Sequence, residues 1–378
     1  MTAPALPNAL LVRGLTGQPT PEELERLAAA GERPRAIYVE VARALDAEII
    51  DLNFVERRGS RFARLVARRI GIIEGQVLAA FARRRSYGKI VAFADRLGLE
   101  LALLCKLTRS RDDLALVSSR LVTRSKRPYL KTLRVQTQLE TIISYSSVQL
   151  DRAAEEYGLR RDELHLVLQP VDEQFWQPTA DEPENLICAV GCISGLRDYP
   201  TLLEAVRGLD VSVELAVGSF IVSPKHNRGR RRLFETNVPA ETVPPNVTYR
   251  FDLPYRELRS LYARSKFVVL PLYDVDFDAG VTSITEAMAM GKAVIATRAR
   301  GQVDVLHDGV EGLYVPPGDP AALRAAIVRL LEHPEEAERM GAAGRAAVLE
   351  RHRLDDYARQ VAELVLHPSE ADKRPATT

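Results

Sequence analysis

Two carboxylates, Asp278 and Glu286, stand eight residues apart in FVVLPLYDVDFDAGVTSITEAMAMGKAVIAT (267–297). The apolar run 267–272 reads as a buried strand, and the loop after it holds Asp274, Asp276 and Asp278. Gly280 permits close backbone approach to a ligand, and the pattern predicts a helix starting near Ser283. Free N–H groups and the positive dipole end of a helix start make a seat for a phosphate or diphosphate. Asp278 just before the helix and Glu286 one turn inside it would accept hydrogen bonds from hydroxyl groups beside that phosphate. Plainer readings stand next to this one. Ser283 and Glu286 fit an S-x-x-E capping box, and Asp278 fits an ordinary turn aspartate.

Competing nucleotide sites fail simple checks. MAMGKAV contains Gly-Lys, but Glu286 stands where a P-loop needs glycine and Ala293 where it needs Ser or Thr. No G-x-G-x-x-G follows the first strand, where GLTG (14–17) is only a glycine-bearing turn. No His, Cys, Asp or Glu cluster has metal-ligand spacing, so no metal is expected. Cys105, Cys188 and Cys192 form no Cys-x-x-Cys pair and no disulfide framework; Cys188 and Cys192 read as small core residues.

The elements that must position these groups alternate strand, turn, helix from residue 186 onward. Short apolar runs at 186–191, 213–218, 247–251, 267–272 and 293–297 are mostly unbroken, as in strands covered by helices on both faces. Helical segments are expected at Tyr199–Val206, Arg256–Ala263, Ser283–Met290, Ala321–Leu331 and Glu335–Arg351. The first half repeats the pattern less clearly, with candidate strands at 9–13, 47–51, 89–93, 114–118, 141–145 and 164–168. The expected fold is α/β: two Rossmann-like, doubly wound parallel-sheet domains facing a cleft. Prolines and acids at 169–184 mark the boundary. The expected domains are thus 1–168 on the acceptor side and 169–350 on the donor side. A C-terminal helix at 351–366 packs back towards the first domain, and 367–378 is a disordered tail.

The chain's 378 residues carry a formal net charge of +1, which gives no reason to expect a nucleic-acid partner. MTAPALPNALLVRG is not a secretory signal, and no apolar stretch approaches the ~20 residues needed to span a bilayer. The default is a soluble cytoplasmic protein, with peripheral contact at the inner membrane face as the extension. That extension comes from residues 56–89, which hold ten Arg or Lys against two acids. Phe62, Leu65, Val66, Ile70, Ile73, Val77 and Phe81 recur there at helical spacing. The first reading is a core-packed helix with a solvated basic face. The second is a helix lying on an anionic membrane, which would bring a lipid-linked acceptor to the cleft. A further basic loop, KHNRGRRR (225–232), reads as mobile, within reach of a phosphate-bearing acceptor.

The segment 267–297 resembles the Glu-x7-Glu region of the fourth glycosyltransferase family, retaining enzymes of the GT-B architecture. Asp278 falls at the first Glu position and Glu286 at the second. DGVEGLYVPPGDPAALRAAIVRLLEHPEEAERMGAAGR (308–345) is similar to the loop and helices that follow in the family. AVGCISGLRDYPTLLEAV is similar to its upstream strand and phosphate loop, with Arg197 at the family's Lys position and Cys192 at its Arg position. QPVD (169–172) resembles the junction Asn-Gly-Val-Asp, and RFDLPYRELRSLYARSKFVVLPL resembles the nucleobase-lining segment. The resemblance covers roughly the last 210 residues.

It implies a nucleoside-diphosphate sugar as donor, a hexose-type sugar moved with retention to an unknown acceptor hydroxyl, and neither metal nor further cofactor. Glu286 would hold the ribose, backbone N–H groups at Gly280, Val281 and Thr282 the diphosphate, and Phe251 and Leu253 the base, largely through backbone. Asp278 would lie beside the donor sugar, and Arg197 would neutralise the leaving diphosphate. The chain departs from the family in its shorter acid at 278 and its missing cation at 192. All six of its histidines (His165, His226, His307, His333, His352, His367) lie at or beyond the junction, so none serves the family's first-domain histidine; Ser118 and Ser119 receive no catalytic role. Two other classes stay open: a non-catalytic nucleotide-sugar binder, and a membrane scaffold organised on the arginine-rich helix.

Overall fold

The computed structural model describes residues 6–14, 18–180, 182–192, 196–218, 234–236 and 238–368. Two six-stranded sheets, every paired strand parallel, carry the chain. The first takes β1 (Asn8–Leu11), β2 (Ala47–Ile50), β3 (Ile90–Ala92), β4 (Leu114–Ser118), β5 (Leu139–Ser144) and β6 (Leu164–Leu166), in the order β2-β1-β3-β4-β5-β6. The second takes β7 (Leu186–Cys192), β8 (Ser212–Gly218), β9 (Val247–Phe251), β10 (Val268–Leu270), β11 (Val294–Thr297) and β12 (Gly312–Val315), in the order β12-β11-β10-β7-β8-β9. Runs of Val, Ile, Leu and Ala make these strands because both faces are covered: every residue of β3, β4, β10 and β11 is buried. Both sheets are of the doubly wound class expected from the sequence.

In the second sheet the winding reverses between β7 and β10. Strands β7 to β9 run outward to one edge and β10 to β12 to the other. At such a reversal the loops leaving the two central strands part, and a ligand crevice opens beyond their carboxyl ends. The helix Val281–Ala289 begins there, and almost every side chain along it is buried. Against its outer side lies the helix Pro334–Arg351, which approaches closely because it carries Gly341 and Gly344. A Cβ on Gly341 would sit 2.1 Å from the carbonyl oxygen of Gly291, and one on Gly344 3.1 Å from the Met288 side chain. Arg345 fixes the same junction, one guanidinium nitrogen donating to the carbonyls of Ala289 (2.9 Å), Trp176 (3.0 Å) and Glu173 (3.3 Å).

The chain divides into two compact units, and not at a single cut. Residues Glu22–Arg35 and Gln169–Leu354 form the second unit, and the remainder forms the first. The expected boundary at 168/169 therefore misses an early segment that belongs with the second unit. Arg35 holds it there: its backbone N–H donates to Asp172 at 2.8 Å and its Nε at 3.0 Å, and the Asp172 carboxylate is buried. The closing helix is Leu354–Leu366 and lies in the first unit, where Tyr357 and Tyr145 share a buried hydroxyl–hydroxyl hydrogen bond of 2.8 Å. His352 and Arg353 stay in the second unit, His352 through a 2.9 Å bond to the Gln169 carbonyl.

The arginine-rich stretch is corrected more deeply. It forms no continuous helix but three, Leu52–Arg58, Arg61–Arg69 and Ile72–Arg83. Phe62, Leu65 and Ile70, expected on the packed face, point out to solvent. The basic loop 225–232 and most of the expected disordered tail lie outside the described residues. No helix among the described residues is long and apolar enough to cross a membrane.

Gly341→Ala should lower unfolding stability by about 1–3 kcal/mol, since the added methyl meets backbone that cannot rotate away. A shift of the urea midpoint measures it; an unchanged midpoint would show that the two helices part freely.

Candidate functional site

Three loops converge at the carboxyl ends of β7, β10 and β11. The loop after β7 is laced to the loop after β10: Asp198 N–H donates to the Pro271 carbonyl (3.0 Å), Tyr273 N–H to the Leu196 carbonyl (3.3 Å), and Arg197 bridges Leu272. Asp198 then caps the next helix, Tyr199–Val206, by accepting from Thr201 N–H. Leu272 N–H donates to Thr297 Oγ1 at 3.0 Å, which ties in β11. The β11 loop clamps the acidic turn at three points. Arg300 grips Asp274 through its backbone N–H and Nε, both at 2.9 Å; Gly301 N–H donates to Val275; and the Gln302 amide donates to the Ala279 carbonyl at 3.3 Å.

The clamped turn delivers the chain into the helix Val281–Ala289, which starts two residues before the expected Ser283. Its N-cap is Gly280 at φ +83°, a left-handed conformation that costs glycine nothing, and no side chain caps it. The capping box is therefore absent. Glu286 lies too deep in the helix for that role, and Ser283 instead accepts from Arg197 Nη2 at 3.4 Å. At a helix start the N–H groups of Thr282 and Ser283 have no acceptor within the helix. Arg197 is thus placed beside the expected phosphate seat, the residue 9% exposed and its Nε donating to the Val190 carbonyl at 3.3 Å. Gly191 makes room for it, because a Cβ there would fall 2.1 Å from Arg197 Nε.

Glu286 points from the same helix into a buried aromatic wall. Tyr262 hydroxyl donates to its Oε2 at 3.1 Å, and the Tyr262 ring packs edge-on to Trp176 at 5.6 Å. Burial pushes the Glu286 carboxyl up to about 8, although the Tyr262 hydrogen bond and the Arg197 charge both pull it down. Desolvation exceeds both because the carboxyl has lost its water and neither partner supplies full charge compensation. Asp278 is buried in the clamped turn, and its carbonyl accepts from Val281 N–H at 3.3 Å.

Arg197, Gly280, Val281, Thr282 and Glu286 are thus brought together, with Asp278 two residues before the cap. Phe251 closes β9 and Leu253 lies on the loop after it, both half-buried. The Phe251 ring is spent on packing, edge-on to Phe234 at 5.4 Å and Tyr249 at 5.6 Å, so only its backbone is left for a ligand. Cys188 is a buried core residue, its thiol pushed up to about 12 by burial; the side chain of Cys192 lies outside the described residues. Among the described residues no three His, Cys, Asp or Glu side chains gather as metal ligands. Sequence reasoning missed Tyr262, Thr297 and Gln302. Tyr262 comes from the helix Tyr255–Arg264, and Thr297 and Gln302 come from the end of β11 and the loop after it.

Residues 170–347 match the family profile of Glycosyl transferases group 1. This half of the chain belongs to that family. The chain is 27% identical over 220 residues to the MMP alpha-(1->4)-mannosyltransferase of Mycolicibacterium hassiacum, covering 57% of this chain and 51% of that protein. It is 24% identical over 229 residues to the mannosylfructose-phosphate synthase of Agrobacterium fabrum, covering 56% and 50%. The chain thus spans about half the length of the curated relatives it matches. The crystal structure of Anabaena HepE in complex with UDP and glucose shares the fold, at a TM-score of 0.67 and 14% identity over 96% of this chain and all of that one. Sucrose-phosphate synthase from Thermosynechococcus elongatus does so at a TM-score of 0.66 and 18% identity, over 97% of this chain and all of that one. The two doubly wound sheets are the GT-B architecture of these glycosyltransferases.

In this group 1 domain the raised Glu286 carboxyl has a measurable consequence. An acid whose folded value is raised favours folding at low pH and loses that contribution as pH rises from its unfolded value, 4.5, to its folded value, about 8. Glu286→Gln keeps the acceptor for Tyr262 without the charge. Its stability relative to wild type should therefore improve with pH across that window, by at most about 1.4 kcal/mol per pH unit. Parallel urea titrations check this; a constant difference would mean that Glu286 titrates normally.

Proposed function

We propose that the second unit binds a nucleoside-diphosphate sugar and that the protein is a retaining glycosyltransferase moving a hexose-type sugar to an acceptor hydroxyl. The observation that carries this reading is the seat of Arg197 at the start of the helix bearing Glu286, beyond the strands where the winding reverses. A buried cation, a helix start whose Thr282 and Ser283 N–H groups have no acceptor within the helix, and a glycine cap suit a diphosphate. Glu286, held by Tyr262 one turn deeper, suits a pair of ribose hydroxyls. The neighbour solved with UDP and glucose, and the relatives named for mannosyl products, support a hexose donor.

In the step itself the bond between the anomeric carbon and the leaving phosphate oxygen breaks. The acceptor oxygen attacks from the face the diphosphate leaves, and the acceptor proton passes to that phosphate. Arg197 and the helix start meet the charge that builds on the departing oxygens. Asp278, in the turn preceding the diphosphate seat, faces the donor sugar.

Calorimetry with UDP, GDP and ADP, followed by a transfer and hydrolysis assay on the matching sugars, tests the reading. One nucleoside diphosphate should bind, and Arg197→Ala should weaken it by roughly 10- to 100-fold, the range for a charged hydrogen bond. Absence of binding to all three would end the proposal.

Asp278 favours a second reading, a donor binder with weak turnover, because its side chain is one methylene shorter than the family's acid. Asp278→Glu separates the two. A true transferase adapted to aspartate should lose about 100-fold in kcat with little change in nucleotide affinity. A gain in turnover would establish the weak binder.

A further inference from the structure

The helix Arg61–Arg69 turns its small residues inward and its large apolar ones outward. Ala63 and Val66 are buried, and Ala67 rests on Gly75 of the following helix. The contact is so close that a Cβ on Gly75 would lie 2.4 Å from the Ala67 Cβ and 2.9 Å from the Ala63 carbonyl oxygen. Phe62, Leu65 and, just past the helix, Ile70 are 64%, 53% and 72% exposed. Core packing therefore does not explain why these positions are large and apolar.

Charge surrounds them. Arg57, Arg61, Arg68 and Arg69 are exposed and make no hydrogen bond or ion pair among the described residues. Arg58 pairs with Glu48, and Arg64 donates to the Glu56 carbonyl. Between Glu56 and Glu74 the sequence holds no acid at all. An unpaired cationic rim around protruding apolar side chains is complementary to one kind of surface, anionic at the outside and hydrocarbon beneath.

We propose that this face docks the first unit on an anionic lipid bilayer. Phe62, Leu65 and Ile70 enter the acyl boundary, and the free arginines lie on headgroup phosphates. A nucleic acid would satisfy the arginines but not the rest. Leu65 and Ile70 offer no aromatic face for a base to stack on, and a phosphate backbone gains nothing from burying them. The docking surface uses residues of the first unit only, so it stands or falls independently of donor binding by the second.

Flotation of the full chain with vesicles tests this. Vesicles of equal parts phosphatidylcholine and phosphatidylglycerol should carry the protein upward, and phosphatidylcholine alone should not. Phe62→Ser with Leu65→Ser should cut partitioning by about tenfold or more, and Arg61→Glu with Arg68→Glu by about fivefold or more for each position. All four residues are exposed, so thermal midpoints should stay unchanged. In Phe62→Trp, indole emission should shift to the blue on the anionic vesicles, against the one native tryptophan, the buried Trp176. Failure to float with anionic vesicles overturns the proposal. So does flotation that depends on the arginines but ignores the serine changes, or RNA binding that survives those changes without any flotation.

Discussion

The second unit is organised around one guanidinium. Arg197 reaches the start of the helix Val281–Ala289 only because Gly191, the penultimate residue of β7, has no side chain, and its loop is stitched along Leu272. The helix start is in turn set by Gly280, whose left-handed turn lets the chain enter the helix without a side-chain cap and leaves Ser283 to meet Arg197. A cation held at the positive end of a helix is electrostatically uncomfortable. That discomfort is what an anion placed between them would relieve, and it is why the pair reads as a ligand seat more than as a structural tie.

Glu286 shows the complementary tension. It is buried with one hydroxyl donor and a cation at longer range, and the carboxyl stays easier to protonate than in water. Ligand hydroxyl groups donating to it would favour the ionised form. The site thus holds a buried cation and a buried carboxyl that is hard to ionise, both at the same helix.

Much of this was legible from residue order. Unbroken apolar runs gave eleven of the twelve strands; β12 was missed because Gly312 and Tyr314 break its apolar character. The helix start was set two residues late because Ser283 and Glu286 imitate a capping box, and only the fold shows that Ser283 meets an arginine 86 residues earlier in the chain. Tyr262, Thr297 and Gln302 were illegible for the same reason: they come from other connections, Tyr262 before β10 and the other two after β11, and only the strand order brings them near the helix. In the first half, helical periodicity runs on through Ile70 and Gly71 and conceals the break between two helices. Periodicity also assigned Phe62 and Leu65 to the core, whereas the glycine at 75 admits only small residues on the facing side. Where a helix packs backbone-close, the wide apolar positions are the ones left outside.

The clamp on the acidic turn gives the aspartate at 278 its significance. In a loose loop, backbone drift would hide the difference of one methylene between Asp and Glu. Here Arg300, Gly301 and Gln302 hold residues 274, 275 and 279, and the helix begins directly after. The reach of the carboxylate at 278 is therefore set by its own side chain and not by the loop. Under the proposed function, a shorter acid on a fixed base would require a donor sugar that comes closer to the turn, or one whose nearest hydroxyl is differently disposed. On that reading the geometry of this turn would bear more directly on donor choice than the helix start, which every nucleoside diphosphate would satisfy alike.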